Sequence, residues 1–199
     1  MSEPDPLVEG DDEANTPLTP DARLGLKPSY VTTRAELNAV EQENIAEADA
    51  WAFERKRPSI VDVDQLLRLH WRMFKDVWKW AGKTRETVLN IGVPPHLVAI
   101  ELHGLVEDVR YWIEHQSFEP DEIAVRFHHR LTAIHPFPNG NGRQARLAAD
   151  LLIHQLGGER FTWGSADLRA PEETRAAYVA ALKAADGHDI TPLLAFVRS

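Results

Sequence analysis

The sequence predicts an all-α protein with one small β element, a short hairpin or extended flap. Three observations carry this. Apolar residues recur at helical spacing over most of the chain, as in Val98, Leu102, Val106, Val109 and Ile113. Helix start and stop residues bracket those stretches. Only WAGKTRETVLNIGVPP, residues 80–95, gathers β-branched residues and turn formers closely enough to read as extended chain.

The elements follow in order. Residues 1–28 are rich in Pro, Asp and Glu with scattered apolar residues, and are expected to be a disordered acidic tail. Thr33 with Glu36 makes a capping box, and the helix it opens should run to about Arg55, ahead of Pro58. Asp62 or Asp64 then caps a helix carrying Leu66, Leu67, His70, Met73, Phe74 and Trp78. Trp71, Trp78 and Trp80, with Phe74, read as core rather than as a platform for stacking bases. After the flap and the helix at Val98, Asp121 caps a helix that presents Phe127, Leu131 and Ile134 on one face. It stops at His135, because Pro136 disfavours helical backbone in the residue before it. A new helix starts near Gly142 and ends at Gly157, a residue suited to a C-cap. Two more run from Pro171 to about Ala185 and from Thr191, with Pro192 at the first position.

Bulk properties exclude several classes. With 199 residues, 43% hydrophobic and 27% charged, the chain has the balance of a soluble domain with a sizeable core. No apolar run approaches the roughly 18 residues of a membrane span, and the first residues lack a signal-peptide pattern. The absence of cysteine rules out disulfides and thiolate metal sites, and a cytoplasmic location is expected. The net charge of −9 belongs to the start of the chain: residues 1–21 hold seven acidic residues and no basic one. A body so near neutrality argues against broad nucleic-acid binding and leaves room for a small basic pocket.

The chemistry gathers in HPFPNGNGRQAR, residues 135–146. Gly140 and Gly142 allow positive φ, so the amides of 140–142 can form an anion-binding nest at a helix start. Arg143 and Arg146, at i and i+3, project on the same side. Two guanidiniums at a helix N-terminus oppose its dipole, which points to an anion between them, and a polyphosphate suits. His135, set at a helix end by Pro136, stands as a base beside that cradle, the arrangement for transfer to a hydroxyl. The GxGxxA match at 140–145 lacks the preceding strand a dinucleotide site needs, and there is no Walker loop. His128, His129 and His135 lack zinc-site spacing, and the first two read as helix-face residues, one packed and one exposed. The plain alternative is a connecting loop with two solvated arginines.

This run resembles the signature of the Fic (Fic/Doc, or Fido) family, HxFx(D/E)GNGRxxR, which His135, Phe137, Gly140, Asn141, Gly142, Arg143 and Arg146 match as they stand. WAGKTRETVLNIG is similar to the family's flap, and YVAALKAADGHDITPLLAF to its C-terminal helices. The likeness covers residues 58–199 as a Fido domain, with a helix over 29–57 packed onto it, and is closest to the subgroup called mobile mystery protein B. It implies a mostly helical fold and protein adenylylation, the transfer of AMP from ATP to a Ser, Thr or Tyr hydroxyl of a target protein. His135 would deprotonate the target; Gly140, Asn141, Gly142, Arg143 and Arg146 would bind the nucleotide; Phe137 would anchor the loop. Thr87, Val88, Leu89, Asn90, Ile91, Gly92 and Val93 would dock the target by strand-like pairing.

Two departures matter. The family acid that holds Mg²⁺ is Asn139 here, a neutral oxygen donor, so metal binding should be weakened. Residues 39–44, AVEQEN, match an inhibitory helix motif (S/T)xxxE(G/N) at its last two positions but have Ala39 where Ser or Thr stands; Glu43 could pair with Arg146, and the reading preferred is that Glu43 is one of several carboxylates on a solvated helix face. Alternatives to adenylylation are a phosphotransferase of the Doc type, and a nucleotide-binding module of impaired activity in a toxin–antitoxin-like pair with a small DNA-binding partner.

Overall fold

The computed structural model describes residues 18–54, 58–165 and 170–199. Its helices are α1 (Pro20–Arg23), α2 (Arg34–Phe53), α3 (Val63–Phe74), α4 (Val98–Glu114), α5 (Pro120–Ile134), α6 (Asn141–Gln155), α7 (Pro171–Asp186) and α8 (Thr191–Val197), with a 3₁₀ turn at Pro95–Leu97.

α6 forms the centre. It is buried around most of its circumference, from Asn141 and Gln144 through Ala145, Ala148, Ala149 and Leu152. A helix covered on all sides belongs in the interior. α5 packs along it, α3 and α2 contact it from another side, α4 covers α5, and α8 joins α7 to α5. Phe74, Phe127 and Phe137 are fully buried at the junction where the loop between α5 and α6 enters the core.

Local sequence accounts for most boundaries. The Thr33–Glu36 capping box forms as expected. Asp62 caps α3 by accepting from the Gln65 amide at 3.1 Å. α5 ends at Ile134, with His135 in the left-handed region at φ 54°, ψ 61°. Other expectations are corrected. α3 stops at Phe74, short of Trp78. The start of α5 is set by Glu119 and Pro120; Asp121 lies in the first turn, where Arg198 donates to its carboxylate at 2.7 Å. Trp78 is core, but Trp71 is 43% exposed, because it faces outward from α3.

Two larger expectations also change. Residues 18–28, which the sequence placed in the acidic tail, are built into the fold. Leu18 and Ala22 are buried, and Leu26 bridges antiparallel to Trp78. Lys27 N donates to Val77 O and Lys79 N to Gly25 O, each at 2.8 Å. Residues 1–17 and the predicted helix end at Arg55 lie outside the described residues. Second, no β-hairpin forms at the flap; among the described residues the Leu26–Trp78 bridge is an isolated pair and there is no strand. Residues 84–93 are irregular, since the Thr87 and Val93 carbonyls accept from the Arg85 guanidinium instead of from a facing strand.

Candidate active site

The α5–α6 loop is fastened from three directions. Asn141 closes it on itself: the Phe137 amide donates to Asn141 Oδ1 and Asn141 Nδ2 donates to Phe137 O, both at 2.8 Å. The Asn141 side chain is thereby spent on the loop, so what it offers a phosphate is its backbone amide, a narrower role than the resemblance implies. From below, His70 of α3 stacks on Phe137 with ring centroids 3.6 Å apart. Its Nδ1 accepts from the Gly82 amide at 2.9 Å, which makes Nε2 the donor to the Asn139 carbonyl at 3.1 Å. Burial holds His70 down to about 3, so the ring is neutral and this tautomer persists. Third, Gly140 sits at φ 78°, and a Cβ there would meet the Phe74 ring at 2.5 Å. Only glycine fits.

The result is an open helix N-terminus. The first bond of α6 is Gln144 N to Gly140 O at 3.0 Å, so by position the Asn141, Gly142 and Arg143 amides have no acceptor within the helix. Gly142 is helical rather than at positive φ; a Cβ there would meet nothing within 4 Å, and this opens the amides to a ligand. These amides, His135, Arg143 and Arg146 all line one cavity of about 760 Å³. That volume is within the range of small-molecule sites. Its other walls include Leu37 and Glu41 of α2, Tyr178 of α7, and Ile91 of the flap. Of the expected docking residues, Ile91 reaches the cavity, while Val88 is 80% exposed.

His135 is placed for proton transfer. Its Nδ1–H donates to Thr132 O at 3.3 Å, which leaves the acceptor lone pair on Nε2. Burial first, and then the Arg85 charge, push its pKa down to about 4 against the opposing effect of the Thr132 carbonyl. The imidazole is therefore neutral near pH 7. Arg146 lies over the Tyr178 ring at 5.5 Å, and Arg143 over Phe74 at 5.0 Å.

The carboxylate at this site is Glu41, and Glu43 lies on the solvated face of α2 as the preferred reading had it. Glu43 is exposed on α2, and among the described residues no ion pair joins it to Arg146. Glu41, 4% exposed, accepts from Arg143 at 2.8 Å and from Trp78 Nε1 at 2.7 Å. Sequence reasoning missed Glu41, Arg85 and the clamp by His70. A signal for Glu41 existed: Leu37, Glu41, Asn44, Ala48 and Ala52 form one buried helical stripe, off which Glu43 falls.

Asn139 does not suit a protein-held Mg²⁺. Its Oδ1 accepts from the Gly140 amide at 2.7 Å and from Arg143 at 3.5 Å. A neutral oxygen beside a guanidinium is a poor ligand for an ion that favours carboxylates. Among the described residues no group of three or more His, Asp or Glu gathers to hold a metal ion.

The loop clamps, the open helix end and the imidazole at its rim form one site on a helical domain. The chain carries a Fic/DOC family domain: the sequence model of that family matches residues 60–153. It is 32% identical over 145 residues to protein adenylyltransferase fic-1 of Caenorhabditis briggsae, an alignment covering 69% of this chain and 26% of that protein. It is 30% identical over 144 residues to protein adenylyltransferase VbhT of Bartonella schoenbuchensis, covering 67% and 30%. The chain thus spans less than a third of the length of these relatives. Among solved structures, BepC of Bartonella tribocorum with bound AMPPNP shares the fold at a TM-score of 0.68 and 19% identity, covering 87% of this chain and 90% of that one. Fic-1 of C. elegans matches at 0.62 and 27% identity, covering 84% and 53%.

Proposed function

We propose that this domain is a protein adenylyltransferase that moves AMP from ATP to a hydroxyl side chain of a target protein. The observation that carries the reading is that His135, the α6 amides and both loop arginines open onto one cavity that the flap's Ile91 also lines. The target's Ser, Thr or Tyr oxygen attacks the α-phosphorus, and its proton passes to His135 Nε2. The bond from that phosphorus to the bridging oxygen breaks, and pyrophosphate leaves. The helix-end amides and the guanidiniums of Arg143 and Arg146 meet the charge on the phosphates. Bound triphosphate also places negative charge near His135 and raises its pKa from about 4, which strengthens it as a base. No step is assigned to a metal held by Asn139.

A phosphate at Arg143 competes with Glu41, whose carboxylate accepts from Nη1 of that guanidinium. Glu41 therefore restrains the site in the role the sequence pattern suggested for Glu43.

The test is to incubate the protein and its His135→Ala variant with lysate and with ATP labelled separately at the α- and γ-phosphates. Adenylylation labels protein from α only, and His135→Ala loses that signal by about 10²–10⁴-fold while retaining nucleotide binding by calorimetry. Label from γ alone would instead establish a Doc-type phosphotransferase. Nucleotide binding with no label from either position would leave a binding module.

A further inference from the structure

Arg85 is 3% exposed, and among the described residues no carboxylate pairs with it. A buried cation without an anion is costly, and its burial depresses the guanidinium's own pKa. Each of its three nitrogens donates to backbone carbonyls, which lie on two separate segments. Toward α5, Nε donates to His135 O at 2.6 Å and Nη2 to Ile134 O at 3.4 Å. Toward the flap, Nη1 donates to Thr87 O at 3.0 Å and Nη2 to Val93 O. The backbones add two bonds in the same place: Arg85 N to Pro136 O at 2.9 Å and Val93 N to Ile134 O at 3.3 Å.

We propose that Arg85 is a positioning residue that staples the target-docking flap to the backbone of the catalytic base. The inference rests on the roles assigned above to His135 and the flap. The carbonyls at the end of α5 have no acceptor role within the helix, and a cation there suits the dipole. Holding them fixes the left-handed turn that aims the His135 ring into the cavity. The same planar fork holds both ends of the flap, so residues 88–92 arch from two fixed points beside the imidazole. An apolar residue would fill this space at less electrostatic cost, and lysine lacks the fork that spans both segments. Gly92 completes the seat: at φ 109°, a Cβ would lie 2.6 Å from both Arg85 Nη2 and His135 Cβ.

The full chain, Arg85→Gln, Arg85→Lys and Gly92→Ala are compared by three measurements: amide hydrogen exchange, calorimetric ATP affinity, and the rate of protein labelling by α-labelled ATP in the lysate that the wild type labels. In Arg85→Gln, exchange at the Arg85 and Val93 amides should accelerate at least about tenfold while the amides within α6 keep their protection. Labelling should slow by at least about tenfold, ATP affinity should hold within about twofold, and Arg85→Lys should fall between Arg85→Gln and the wild type. Unchanged exchange at Arg85 and Val93, unchanged labelling, or ATP affinity lost in step with labelling would overturn the staple. If Arg85→Gln does not fold, Gly92→Ala, which disturbs the seat with the arginine present, is held to the same criteria. A wild type that labels nothing refutes the adenylyltransferase reading, and exchange then decides the staple alone.

Discussion

The two walls of the site are built on opposite plans. The α5–α6 loop is over-determined: Phe137 is buried, Asn141 closes a ring on its backbone, and His70 clamps the Asn139 carbonyl from beneath. The flap is held at its ends by one guanidinium and the Arg85 and Val93 amides, and between them Val88 is 80% exposed. On the proposed function, the difference follows the tasks. Phosphate chemistry needs donors fixed in advance, because rearranging them during reaction costs rate. A surface that receives another protein's backbone is served by chain exposed between fixed ends.

The largest expected effect that separates the walls is on stability. Phe137→Ala removes a fully buried ring and the stacking partner of His70, and should cost about 3–5 kcal/mol in denaturant unfolding. Val88→Ser on the flap should stay within about 0.5 kcal/mol. Equal losses would erase the contrast.

Acid should act next, and on the loop side. His70, His128 and His135 are buried with pKa values lowered to about 3, 3 and 4. Each binds a proton in the unfolded chain near pH 6.5 but not in the folded one. Their stabilisation is present above about pH 6.5 and is lost as pH falls toward 3–4, on the order of 1–2 kcal/mol per imidazole by pH 5. A melting temperature that is flat between pH 7 and 5 would contradict their burial.

The smallest effect concerns control of the cradle. Glu41→Gln should tighten ATP binding by about tenfold, the order expected from freeing one charged pair to Arg143. Glu43→Gln, on the exposed side of α2, should change calorimetric affinity by less than about twofold. A reversed ranking would restore the residue the motif singled out.

How much of this was legible in the sequence differs between the two walls. The loop was readable because its logic is local: Pro136 ends a helix, Gly140 permits a left-handed turn, and Arg143 and Arg146 follow at fixed spacing. The capping box at Thr33 and the cap at Asp62 were readable for the same reason. The flap misled because its β-branched residues suggested paired strands, whereas the Thr87 and Val93 carbonyls at its ends accept from a side chain on the same segment.

By itself, then, the sequence determined the helical class, most helix boundaries and the turn that opens α6 with its two arginines, all of which depend on neighbours within a turn or two of the chain. Only the tertiary structure decided which carboxylate meets Arg143, that residues 18–28 pack through Leu18, Ala22 and Leu26, and that Arg85 joins residues 87–93 to the His135 backbone. Those contacts unite residues 102 and 50 positions apart for Glu41–Arg143 and Arg85–His135. No local propensity encodes such pairs; they form when packed helices bring distant polar groups out of water, where each must find a partner.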